Sequence, residues 1–195
     1  QLDNLGFGES LKFTFGLNAS SYGSEGFTSD IQLADSGYGQ GKMMVNPVHM
    51  AAIYTAFSNN GNMLKPYLVK ENGSKKQVLK ETIFTKQAVN TVNEAMRQVI
   101  RDPSGTGHAA NIEGVDLRGK TGTAENEGKY AHAWFVGYSN VEDPDLVVCV
   151  LVENVGAGSK YAVPIAKRVF DSYYNNNMKE YYSQKTDIES TQTNQ

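Results

Sequence analysis

Three apolar, strand-like segments joined by short polar links narrow the possible folds more than any other feature of this chain. Val115 to Ala124 is the first, Ala131 to Ser139 the second and Asp145 to Glu153 the third. In the second, Trp134, Val136 and Tyr138 alternate with Phe135 and Gly137, the period-two pattern of a strand. The third is apolar on both faces, which predicts a central place in a sheet. The links at 126–130 and 140–144 are too short for a crossover, so the simplest arrangement is an antiparallel meander.

Helices are predicted around these strands. Asn46 to Asn59 has an N-cap candidate in Asn46, Pro47 at the first helical position and Gly61 as a stop. Met50, Ile53, Tyr54 and Phe57 recur there at helical spacing. Lys86 to Arg101 forms a second helix, capped by Thr85, with Ala88, Val89, Val92, Met96, Val99 and Ile100 on one face. A third covers Val163 to Tyr174, with Ile165, Ala166, Val169 and Tyr173 on one side. Leu64 to Lys70 reads as a short strand and Lys70 to Lys76 as a polar turn. Pro103, Gly105 and Gly107 predict a flexible connection, and Gln1 to Gln40 reads as loops with at most short elements. Ser183 to Gln195 reads as a disordered tail. The class is therefore α+β, an antiparallel sheet flanked by helices.

At 195 residues the chain suffices for one domain, and its 39% hydrophobic content can build a core. The net charge of -3, with basic residues spread along the chain, argues against nucleic-acid binding, which needs clustered cations. No apolar run is long enough to span a bilayer, and there is no signal peptide. The sequence opens at Gln1 without an initiator Met, so a fragment or processed chain is expected. Cys149, the single cysteine, lies inside the apolar run 146–152 and reads as a small buried hydrophobe rather than a reactive thiol.

The chemistry concentrates in Lys120-Thr121-Gly122-Thr123, at the head of the first strand-like run. A lysine beside a cleft supplies a positive field for an anionic ligand. A threonine hydroxyl can bind a peptide's terminal carboxylate. A glycine leaves the strand bare, so that a ligand backbone can pair along its edge. The N–H of Thr123 can face a developing oxyanion. Taken alone, the three letters Lys-Thr-Gly favour an ordinary strand with an exposed lysine.

The flanking residues tip the balance the other way. Gly37-Tyr38-Gly39-Gln40-Gly41, followed by Val45-Asn46-Pro47-Val48-His49-Met50-Ala51, resembles a block of class B penicillin-binding proteins. Asn60-Gly61-Asn62 with Pro66 continues it, Gly105-Thr106-Gly107 matches the stretch before the Lys-Thr-Gly strand, and Trp134-Phe135-Val136-Gly137-Tyr138 matches the strand after it. The resemblance covers roughly residues 5 to 175. His49 stands where the family usually has Gln.

The resemblance implies the penicillin-binding/β-lactamase-like transpeptidase fold, with residues 1–178 as the C-terminal portion of the domain and 179–195 as a polar tail. It implies a serine-type DD-transpeptidase that cross-links peptidoglycan stem peptides and is acylated by β-lactam antibiotics. Lys120 and Thr121 would hold the substrate carboxylate. Thr123 would add its hydroxyl to binding and its N–H to the oxyanion hole, beside the bare Gly122. No cofactor and no metal are implied. The parent would work at the extracytoplasmic face of a bacterial plasma membrane through an upstream anchor, the fragment itself being soluble. Two other readings stay open: a β-lactam-sensing or peptidoglycan-binding module without turnover, and a related serine β-lactamase or DD-carboxypeptidase.

The family's nucleophile lies in Ser-x-x-Lys and its proton-shuttling hydroxyl in Ser-x-Asn. No serine of this chain has a lysine three positions on. Ser58-Asn59-Asn60 fits the second pattern, but it ends the Asn46 helix inside the block that in the family lies after the true triplet. The chain alone is therefore expected to be inactive and to need the missing N-terminal part of the domain. That part would also cover the strand Leu146 to Val152, whose edge is otherwise exposed.

The remaining polar and aromatic residues carry weaker signals. His49, His108 and His132 lack the spacing of metal ligands. His132 reads as a solvent-facing strand residue, and Glu125 and Glu127 as surface carboxylates on a turn. Tyr173, Tyr174, Tyr181 and Tyr182 read as a helix seam entering the tail, Lys75 and Lys76 as solvated loop charges.

Overall fold

The computed structural model describes residues 1–11, 13–23, 25–69, 76–139 and 146–175. The expected turn at Lys70, the link at 140–144, Lys75, Tyr181, Tyr182 and the tail lie outside those residues. In chain order the elements are α1 (Leu2–Leu5), α2 (Asp30–Ser36), α3 (Pro47–Thr55), β1 (Met63–Leu64), β2 (Val78–Lys80), α4 (Lys86–Arg101), β3 (Leu117–Ala124), β4 (His132–Ser139), β5 (Val147–Val152) and α5 (Gly158–Asn175).

The meander forms as its short links require. β3 and β5 flank β4, and both pairs are antiparallel. Helix α5 covers one face, while α3 and α4 cover the other, giving a helix–sheet–helix sandwich. The alternation along β4 divides the core. Ala133 and Phe135 join Val163, Ala166 and Phe170 of α5, with Leu117 and Val148 beside them. Tyr138 points the opposite way, onto Phe57 and Met96. Phe135 finds room because its neighbours are bare. A Cβ at Gly119 would stand 2.7 Å from the ring and one at Gly137 2.8 Å, and these two glycines are cross-strand partners. The ring lies over a glycine pair that no side chain could share with it.

Among the described residues β5 pairs with β4 alone, so its outer edge is open, the edge that the missing upstream part is expected to cover. Its two apolar faces reflect the helices above and below it, α5 and α3, rather than a strand on each side. Burial pushes the Cys149 thiol up to about 12, so the residue behaves as the small hydrophobe its surroundings suggest.

The other elements follow local chemistry. The Asn46 carboxamide accepts from Val48 N–H and the Thr85 hydroxyl from Ala88 N–H, so both predicted N-caps are made. Helix α3 then tightens into a 3-10 turn at Ala56–Ser58. Gly61 ends the segment at φ +83°, where an added Cβ would also meet the Phe84 carbonyl oxygen at 2.2 Å. The strand expected from Leu64 to Lys70 shrinks to two residues, because Pro66 has no N–H to continue the ladder. Its partner β2 carries no signal of its own beyond three residues. Helix α5 begins five residues before its expected start at Val163. Gly156, Gly158 and Pro164 disguise that first stretch as a loop.

Two polar devices fix the helices to the sheet. Buried Asn93 of α4 donates to the Phe57 carbonyl at 3.0 Å and accepts from the Tyr138 hydroxyl, tying three elements together. Asp116, just before β3, takes Arg97 and Arg101 of α4 at 3.2 Å each and Arg118 of β3 at 2.9 Å. Partial burial pushes the Asp116 carboxyl up, but the Arg118 hydrogen bond and the three guanidinium charges outweigh it and hold the carboxyl below its usual range.

His49 is 3% exposed. Its Nε2 lies 2.8 Å from the Leu5 carbonyl oxygen, which can only accept, so Nε2 carries the proton. Nδ1 then accepts from Ser20 Oγ at 2.8 Å, and that hydroxyl in turn accepts from Asn46 N–H. One side chain thereby joins the N-terminal segment to α3.

Asp116→Asn is expected to cost about 1–2 kcal/mol, since three cations lose their shared anion. Because the folded carboxyl titrates lower than the unfolded one, this contribution is full above the ordinary value of 3.8 and fades as pH falls below it. Urea denaturation between pH 7 and pH 3 checks both: the gap between wild type and variant should narrow at the acid end. Alkylation offers a second check. Cys149 should react with iodoacetamide at neutral pH far more slowly in the folded chain than in denaturant.

Candidate functional site

Strand β3 carries the residues expected to do chemistry, and its setting decides what each can reach. It is the other lateral strand of the sheet, paired only with β4 among the described residues. In an antiparallel pair, successive residues turn their N–H and C=O alternately toward and away from the partner. The carbonyl of Thr123 and the N–H of Glu125 bond to a side chain outside the sheet, so the odd-numbered residues face outward. Thr121 and Thr123 thus present their backbone groups along an edge with no strand beside it.

Lys120 is exposed, and its Nζ donates to the outward carbonyl of Thr121 at 2.8 Å. The Thr121 hydroxyl lies 2.7 Å from the hydroxyl of Thr106. Two hydroxyls sharing one hydrogen bond leave one O–H free to donate, which suits an anionic oxygen at that point.

Thr106 is held there by its neighbours. Added Cβ atoms would stand 2.3 Å from the Val99 carbonyl oxygen at Gly105, and 2.8 Å from Ile100 Cδ1 at Gly107. The Gly107 N–H donates to the Val99 carbonyl at 3.1 Å, and His108 Nδ1 donates to that of Ile100 at 3.0 Å. The expected flexible connection at 103–107 is therefore a tight turn clamped onto the end of α4. Its glycines serve close packing, not looseness.

Gly122 and Thr123 meet the start of α5. A Cβ at Gly158 would stand 2.3 Å from the Gly122 carbonyl oxygen and 2.5 Å from that of Trp134. The helix thus rests directly on the backbone of β3 and β4. The Gly158 N–H donates to Thr123 Oγ1 at 3.3 Å, which leaves that hydroxyl its own proton to donate.

Of the residues singled out in the sequence, Lys120, Thr121, Gly122 and Thr123 are brought to one edge. Ser58 stays apart in its role. Its hydroxyl donates to the Thr55 carbonyl at 3.1 Å and Asn59 donates to that of Asn62, so the triplet closes the end of α3. His132 accepts from Asn154 N–H at 3.1 Å and is partly buried rather than solvent-facing. Glu125 and Glu127 line an open cleft of about 600 Å³ with Asp35, Tyr38 and Gln40. Three contacts do not follow from the sequence: Thr106 on Thr121, Gly158 under Gly122, and Gln40 on the β3 edge. Thr106 and Gln40 stand inside recognisable motifs, but nothing in the sequence says which backbone groups they reach.

Known proteins share both the sequence blocks and the fold. The family description "Penicillin binding protein transpeptidase domain" matches residues 1–171. The chain belongs to the penicillin-binding protein transpeptidase family, class B. It is 36% identical to Penicillin-binding protein 3 of Bacillus subtilis over 88% of this chain and 27% of that protein. It is 33% identical to Peptidoglycan D,D-transpeptidase MrdA of Haemophilus influenzae over 71% of this chain and 25% of that one. The chain thus spans about a quarter of the length of these relatives. Among solved structures, the D,D-transpeptidase domain of a peptidoglycan glycosyltransferase from Eggerthella lenta superposes with a TM-score of 0.73. The two are 25% identical, covering 91% of this chain and 47% of that one. A ceftriaxone acyl-enzyme of penicillin-binding protein A from M. tuberculosis gives 0.77 at 22% identity, covering 88% and 42%, a likeness of fold.

Gly158→Ala is expected to lower stability by about 1–3 kcal/mol, since its methyl group meets two backbone oxygens that cannot give way. Thermal unfolding with amide exchange along β3 checks it, and 119–124 should lose protection first.

Proposed function

We propose that this chain supplies one wall of a D,D-transpeptidase site that acts on peptidoglycan stem peptides and is acylated by β-lactams. The nucleophile would lie outside these 195 residues, since no serine here has the required lysine. The observation that carries the reading is the outward edge of β3, where Lys120 and the paired hydroxyls of Thr121 and Thr106 converge. Relatives named D,D-transpeptidases share the family, and the M. tuberculosis protein of the same fold was captured as a ceftriaxone acyl-enzyme.

Each residue has a task in that site. The Lys120 ammonium supplies a positive field and the free O–H of the Thr121–Thr106 pair donates to the substrate carboxylate. The outward N–H of Thr123 forms half of an oxyanion hole, the other half coming from the nucleophile's own N–H. The serine attacks the penultimate D-Ala carbonyl, the terminal D-Ala leaves, and an amine of a second stem displaces the serine from the acyl group. Residues 1–178 would be the C-terminal portion of the domain, and the portion upstream would bring the serine. The parent would work at the extracytoplasmic face of a bacterial membrane. No described helix of this chain is long and apolar enough to cross one.

Labelling with fluorescent penicillin tests this. The 195-residue chain alone should form no covalent adduct, whereas the complete domain should. Lys120→Ala in the complete domain should slow acylation by about tenfold to a hundredfold, the loss of one charge-assisted contact. A stable adduct on the isolated chain would put the nucleophile within it and overturn the reading.

A further inference from the structure

The outward edge of β3 is already occupied, and the occupant is a side chain from far along the sequence. Gln40 Nε2 donates to the Thr123 carbonyl at 3.1 Å, and Gln40 Oε1 accepts from Glu125 N–H at 3.2 Å. One carboxamide therefore satisfies the two outward groups that flank Ala124, as the backbone of an added strand would. Lys120 caps the next outward carbonyl, that of Thr121. An unpaired strand edge invites pairing with any extended chain, and here side chains close it.

Gln40 is placed for this by a fixed turn. Its N–H donates to the Asp35 carbonyl at 2.9 Å, and the Tyr38 hydroxyl donates to Asp35 Oδ1 at 2.7 Å. Gly39 and Gly41 take φ of +82° and +71°, conformations that let the chain double back past α2. The backbone is anchored, while the side chain is only partly buried and makes these two hydrogen bonds. Such a side chain can swing away at the cost of those bonds.

We propose that Gln40 is a latch that gauges ligand length on the β3 edge. The proposal rests on the reading above, in which a carboxylate is anchored at Thr121 and Thr106. A ligand held there runs along the edge toward Thr123, about 6.7 Å further on by strand geometry. A single acylated amino acid ends before it reaches Gln40. A longer peptide brings its own N–H to the Thr123 carbonyl and must displace the carboxamide. Gln40 therefore selects against extended ligands that cannot replace the displaced bonds, and it covers the edge when no peptide is present.

The test uses the complete domain, its nucleophilic serine replaced by alanine so that no probe is turned over, with wild-type Gln40, Gln40→Met or Gln40→Ala. Methionine keeps the length of the side chain and loses both hydrogen bonds. Amide exchange at Glu125 reports the latch itself, and NMR titration reports binding of two probes, N-acetyl-D-alanine and diacetyl-Lys-D-Ala-D-Ala. In both variants Glu125 exchange should accelerate, the long probe should bind roughly three- to tenfold tighter, and the short probe should be unchanged. If the long probe binds wild type but gains nothing, or loses affinity, in the variants, Gln40 is only a structural stopper and the latch is refuted. The latch is equally refuted if both probes change together. If neither probe shifts any β3 amide in any of the three proteins, the carboxylate-anchoring reading fails, and the latch falls with it.

Discussion

The contact between Gly158 and the backbone of β3 and β4 is the constraint on which the rest depends. With no side chain in the way, the first turn of α5 lies on the carbonyls of Gly122 and Trp134. That seating brings Val163, Ala166 and Phe170 down onto Phe135, which itself spreads over the glycine pair 119 and 137. The same contact delivers the Gly158 N–H to the Thr123 hydroxyl. The core and the functional edge are thus fixed by one approach of helix to strand. A bulkier residue at any of these glycines would lift the helix and release the edge together.

The other face is held by charge and hydrogen bonding as much as by apolar packing. Asp116 gathers three arginines where α4 meets β3, and Asn93 links α4 to Phe57 and Tyr138. These contacts hold β3 from its beginning, as Gly158 holds it from its end. Between them the strand is rigid enough to present its outward groups in register. Thr106, between Gly105 and Gly107 packed on the end of α4, then meets Thr121.

Much of this is legible in the sequence wherever the signal is local. The caps at Asn46 and Thr85, the alternation along β4 and most of the apolar face of α4 are properties of neighbouring residues and are realised, although Val92 of that face is exposed and Asn93 is buried in its place. The Lys120–Thr123 motif and its flanks point to the family, which the match over residues 1–171 bears out. What escapes is decided at long range. The two apolar faces of β5 do not say which helices cover them, α5 on one side and α3 on the other. Gly105, Gly107 and Gly158 read as breaks, because a sequence does not distinguish a glycine that bends the chain from one that another backbone must touch. His49 reads as an exchange for glutamine, yet it is a buried donor and acceptor whose partners, Leu5 and Ser20, lie 44 and 29 positions away.

The bare edge of β3 brings these threads together. A strand that serves as a binding edge must leave its backbone groups unpaired in the sheet, and unpaired groups are a liability in water-poor or crowded surroundings. This chain meets the conflict with side chains that imitate a strand: an ammonium on the Thr121 carbonyl and a carboxamide across Thr123 and Glu125. Side chains can leave where a strand could not, since each breaks one or two bonds rather than a ladder. The edge is consequently protected by few bonds. Its outward groups are closed by a lysine beside them and by a glutamine more than eighty positions away.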